Sequence, residues 1–73
     1  MIDQIDLKRH EEKFEEIINL YRNGNISKAR KELMISSVMS AIEIECGGIN
    51  AIMRRKDKVT KFYNKIRVAR FEN

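Results

Sequence analysis

The chain contains no proline, and its three glycines fall at only two places, Gly24 and the pair Gly47-Gly48. A β fold of this length needs many turns, and turns draw on glycine and proline. Two glycine punctuation points in 73 residues leave room for three uninterrupted segments of helical length. The expected fold is therefore all-α, a single domain over residues 1–73 with helices at about 6–22, 28–45 and 51–71. Short turns between them imply a small three-helix up-down-up arrangement.

Each segment carries its own period. In the first, Leu7, His10, Phe14, Ile17, Ile18 and Tyr21 recur at helical spacing, with Lys8, Glu12, Glu15, Glu16 and Asn19 opposite. Asp3 or Asp6 is placed to cap its start, and Asn23-Gly24-Asn25 to stop it. The second opens at Ser27, a good N-cap, with Ile26 before it as a hydrophobic staple. Its stretch from Leu33 to Ile44 is apolar almost all round, which requires cover on two faces. Either both neighbours flank it or another chain covers one side. The third, capped by Asn50, aligns Ile52, Val59, Phe62, Tyr63, Ile66 and Ala69 as its core stripe.

A chain of 73 residues builds only a marginal core, because a domain this small buries about 60 % of the surface its unfolded chain exposes. The single cysteine, Cys46, excludes an internal disulfide and suits a reducing compartment. Homodimerisation is then the means left to complete the fold, with Met34, Val38, Met39 and Ile42 of the second helix as its expected interface. No uninterrupted apolar core marks a secretory leader between Met1 and Leu20. The longest all-apolar run, Leu33-Met34-Ile35, is far below the roughly 20 residues that span a bilayer. The expected location is the cytoplasm. Eleven isoleucines, eight lysines and six asparagines point to an AT-rich genome, such as that of a low-GC bacterium or one of its phages.

Charge is concentrated at one end. Residues 1–22 hold four bases and six acids, residues 23–48 three of each. Residues 49–73 hold eight bases against Asp57 and Glu72, a net of +6 within a chain whose total is +4. On a continuous helix Arg54, Lys58, Lys61 and Lys65 point one way, making a basic ridge of roughly 16 Å. Duplex nucleic acid presents about one charge per 1.7 Å, so such a ridge meets several phosphates. Arg55 widens the surface, and Asn64 at its edge has the amide that reads adenine. Lysine suits phosphates better than base edges, so weak sequence preference is expected.

No reaction chemistry emerges from the residues. His10 has no second histidine or cysteine at ligand spacing, and a half-buried histidine is expected rather than a metal ligand. Cys46 reads as a small buried thiol. Glu43 and Glu45 diverge on a helix and cannot act as a carboxylate pair. Cys46-Gly47-Gly48 lacks the spacing and ending of a phosphate loop. The expectation is a small non-catalytic intracellular regulator with no metal, cofactor or small-molecule substrate. Its basic third helix would dock on an anionic macromolecule, either nucleic acid, the first choice, or an acidic protein surface. In the alternative the chain is a protein-binding inhibitor or adaptor that uses its apolar second helix, with the basic face only solubilising or steering association.

Overall fold

A computed structural model of the protein describes residues 6–72, so Asp3 lies outside the described residues. These form four helices: α1 (Leu7–Arg22), α2 (Lys28–Cys46), α3 (Ile49–Arg55) and α4 (Lys58–Ala69). No strand occurs among the described residues.

The first two helices start and stop where their local chemistry dictates. Asp6 Oδ1 accepts from the Arg9 amide at 3.2 Å, and Ser27 Oγ from the Arg30 amide at 3.1 Å. Each satisfies one of the donors that a helix start leaves open. Gly47 closes α2 with φ of 89°, a left-handed conformation, and the Gly47 and Gly48 amides both return to the Glu43 carbonyl at 3.0 and 2.7 Å. A side chain at position 47 would be strained there.

The single helix expected over 51–71 is instead two helices joined at a bend. Lys56 adopts φ 52° and ψ 39°, ending α3 in the left-handed region. Asp57 then caps α4, its Oδ1 accepting from the amides of Val59 (3.0 Å) and Thr60 (3.4 Å). Arg55 pairs with the same carboxylate at 3.2 Å. Thr60 Oγ1 donates to the Ile52 carbonyl at 2.6 Å, fastening α4 to α3 across the bend. The start moves as well. Gly48 rather than Asn50 precedes the helix, and no side chain caps it.

All four helices supply the core. Phe14 and Ile17 come from α1, Ile35, Val38, Met39 and Ile42 from α2, Ile52 from α3, and Val59, Phe62, Tyr63 and Ile66 from α4. The rings of Phe14 and Phe62 meet edge to face, 5.9 Å apart at 87°, an orientation that suits their quadrupoles. α2 is the central helix. On one flank Glu45 reaches α1, with His10 Nε2 2.9 Å from its Oε1 and the Arg9 guanidinium 3.3 Å from its Oε2. On the other flank Tyr63 donates to Glu43 at 2.5 Å, and Arg70 to Ser36 Oγ at 3.1 Å.

This arrangement corrects the expected interface of the second helix. Val38, Met39 and Ile42 are buried inside the single chain, and Met34 is half-buried. Val38, Met39 and Ile42 are core, packed among the other helices, while Met34 only partly packs against that core and edges a groove beside α1. The exposed aliphatics of α2 are Leu33 and Ile44.

One charged residue is equally deep. Lys31 is 2 % exposed. Its Nζ donates to the Ala69 carbonyl at 3.0 Å and to the Glu72 carbonyl, and lies 4.7 Å from the centre of the Tyr21 ring. A cation at the carbonyl end of α4 answers the negative pole of that helix.

Candidate anion-binding face

α4 displays Lys58, Lys61 and Lys65 on one side, all exposed. Spacings of three and four residues keep them aligned, over roughly 10 Å of helix. The core stripe of Val59, Phe62, Tyr63 and Ile66 fixes this orientation, because burying it turns the lysines outward. Lys56 is exposed at the bend; Arg67 is exposed as well, but two residues on from Lys65 it stands on the other flank of the core stripe. Arg54 is exposed too, but it belongs to α3 and no longer extends the line of α4.

The neighbours of these groups decide how much positive field they project. Among the described residues, Lys58, Lys61 and Lys65 have no carboxylate within 4 Å. The glutamates of α1 do not neutralise them by direct pairing. Lys65 differs in setting: its Nζ lies 5.8 Å from the Phe14 ring centre, in a groove it shares with Glu11 and Glu15. Carboxylates that share a groove with a lysine lie within a screening length and temper its field without pairing with it. Lys61 lies outside that groove, and Lys58 follows directly on Asp57, whose carboxylate is engaged by Arg55.

Two other expected contacts are committed inside the molecule. Arg55 is held by Asp57. Partial loss of hydration works to raise the Asp57 carboxyl, but the Arg55 guanidinium and the amides of Thr60 and Val59 outweigh it and hold it below its ordinary range. Asn64 is half-buried with its Oδ1 shut away from solvent, so it does not present both edges of its amide to a base. Arg70 bonds Ser36 and stacks on Phe71 at 4.4 Å, leaving that flank less available.

The remaining reactive side chains are tied or quiet. Burial pushes the Cys46 thiol up, against a smaller opposing pull from Arg55, which keeps it from the thiolate a nucleophile needs. Among the described residues no group of three or more His, Cys, Asp or Glu is gathered to hold a metal ion. No helix there is long and apolar enough to cross a membrane. Glu43 and Glu45 do diverge, one serving Tyr63 and the other His10 and Arg9.

Tyr63 has a measurable consequence. Burial, the hydrogen bond to Glu43 and that carboxylate's charge push its phenol from 10.0 up to about 12, against the pull of Arg67 and Arg70. A group whose pKa is higher in the folded state adds stability that is complete below its unfolded pKa and disappears as pH climbs through the folded one. Urea stability of the wild type should therefore drop between about pH 10 and pH 12, and Tyr63→Phe should flatten that part of the profile. Profiles that run parallel over that interval would show that Tyr63 does not carry the alkaline sensitivity.

No family model, curated protein or solved structure matches the chain.

Proposed function

We propose that the protein is a small non-catalytic regulator that works by binding an anionic macromolecule, nucleic acid in the first place, through the exposed face of α4. The observation that carries this reading is the set of outward lysines at 58, 61 and 65, none with a carboxylate within 4 Å among the described residues, in a third of the chain whose net charge is +6. A face that serves only to be wetted usually mixes signs. Lysine heads are compact point charges that neutralise phosphates and release condensed counterions without reading bases. With the Asn64 oxygen buried, sequence preference is weak. A reducing cytoplasm is the setting we assign. In this reading α3 and α4 together act as the bent third rod of an up-down-up arrangement.

The test is a gel-shift titration with an arbitrary duplex and an arbitrary single strand at graded salt. On the duplex three phosphate contacts give a slope of log K against log salt of about −2.7, and recruiting Lys56 and Arg54 steepens it towards about −4.5. Lys58→Glu/Lys61→Glu should weaken binding at 50 mM salt by about a hundredfold while leaving the circular dichroism unchanged. No shift of either strand at 50 mM salt sinks the proposal, as does binding indifferent to salt. A second reading, docking on another protein, draws on the exposed Leu33 and Ile44 of α2. Their arrangement favours one particular occupant.

A further inference from the structure

The outward side of α2 carries Leu33, Ser37, Ser40 and Ile44, all exposed, with Ser37 at the edge of a groove against Arg9, Lys13 and Glu16 of α1. Steps of four, three and four residues set them in one line, with no charge among them. Leu33 is 66 % and Ile44 81 % exposed, although their long aliphatic chains gain most from burial. They are eleven residues apart, roughly 16 Å along the axis, and equidistant from a point between Val38 and Met39.

That symmetry suits a second copy of the same face laid antiparallel. A two-fold axis through the midpoint places Leu33 of each copy on Ile44 of the other, and Ser37 on Ser40, as a self-complementary contact requires. The serines are short enough for the two helices to approach to about 8 Å. Charge favours the same pairing. The first turn of α2 has no acid and its last turn no base, while Arg30 stands exposed near its positive end. Within one chain this opposes the helix dipole. In the antiparallel pair Arg30 of each copy comes to the negative, carbonyl end of the other α2. A parallel pair would set Arg30 against Arg30.

We propose that this face of α2 is a homodimer contact in which a second copy packs antiparallel, Leu33 against Ile44. The contact stands apart from the lysines of α4 and is tested without nucleic acid.

Sedimentation in reducing buffer over loading concentrations of about 10 µM to 1 mM covers the range in which a small contact of this kind holds. The mass should rise from 8.6 kDa towards twice that value. Ile44→Glu and Leu33→Lys should each weaken the dimer at least about tenfold with unchanged circular dichroism, since both sites are exposed in the single chain. The double variant Leu33→Lys/Ile44→Glu should regain the dimer, because the introduced opposite charges then face each other across the axis. Wild type that stays monomeric to 1 mM overturns the proposal and leaves the face to a different protein. A dimer that survives Ile44→Glu, or a double variant no better than either single one, overturns it equally.

Discussion

Val38→Glu should unfold the protein, whereas Ile44→Glu, six residues along the same helix, should leave its helical signal intact. Val38 is 5 % exposed and lies in the core with Phe14, Ile35 and Ile42. A carboxylate forced into that site has no cation or donor arranged for it. Burying a charge without a partner costs several kcal/mol, and protonating it instead still leaves a buried polar group. A chain of 73 residues has about 4–11 kcal/mol of stability in total at the usual density per residue. One substitution then consumes most of the margin. Far-ultraviolet circular dichroism at 25 °C separates the two outcomes directly. If Val38→Glu remains folded, α2 is not the central helix and the division between its buried and outward sides is wrong.

Lys31→Met should lower stability by about 1.5–3 kcal/mol, the usual worth of hydrogen bonds from a charged donor. Methionine keeps most of the length and apolar stem of lysine. The loss therefore reports the ammonium group, not a cavity. That group reaches the carbonyl of Ala69 at the end of α4 and that of Glu72 just past it, and lies over the Tyr21 ring. It joins the C-terminal ends of α1 and α4 to the beginning of α2. Arginine should not rescue the site, because its planar fork needs space and angles that a tetrahedral ammonium does not. The urea midpoint should fall with the slope m unchanged, the signature of lost stability without a change in compactness. An unchanged midpoint would mean that Lys31 is carried in the interior without holding anything.

The first two helices were legible in the sequence because their boundaries are local. A short polar side chain accepts an amide three residues on at Asp6 and Ser27, and Gly47 takes the left-handed turn. The bend at Lys56 and Asp57 was not legible. Ile52 and Val59 are seven residues apart, so the apolar period runs through the break in phase and conceals it. A left-handed lysine carries no mark of its own, unlike glycine or asparagine. The usable signal is Asp57, one of only two acids among the eight bases of residues 49–73. An aspartate followed at the second and third positions by Val59 and Thr60 is equally an N-cap.

The site was legible in part for the same reason. The outward set of Lys58, Lys61 and Lys65 follows from spacing alone. The removal of Arg54 from their line, the commitment of Arg55 and the burial of the Asn64 oxygen all depend on the bend or on tertiary approach. The second helix shows the limit most clearly. A wheel that is apolar all round states that two sides need cover but not which two, so Val38, Met39 and Ile42 read as interface as readily as core. Lys31 near a helix start reads as surface, because nothing nearby in sequence announces Ala69 and Glu72.

The tie from Lys31 to Ala69 and Glu72 also sets an order of events on the ribosome. A nascent chain that has released α1 and α2 has Lys31 in place but none of its acceptors, and Ile35 and Ile42 lack the cover that α4 supplies. Such a chain is a collapsed, sticky helical pair until the residues around 69–72 emerge. Closure of the core thus waits for the residues around 69–72, even after α1 and α2 have formed.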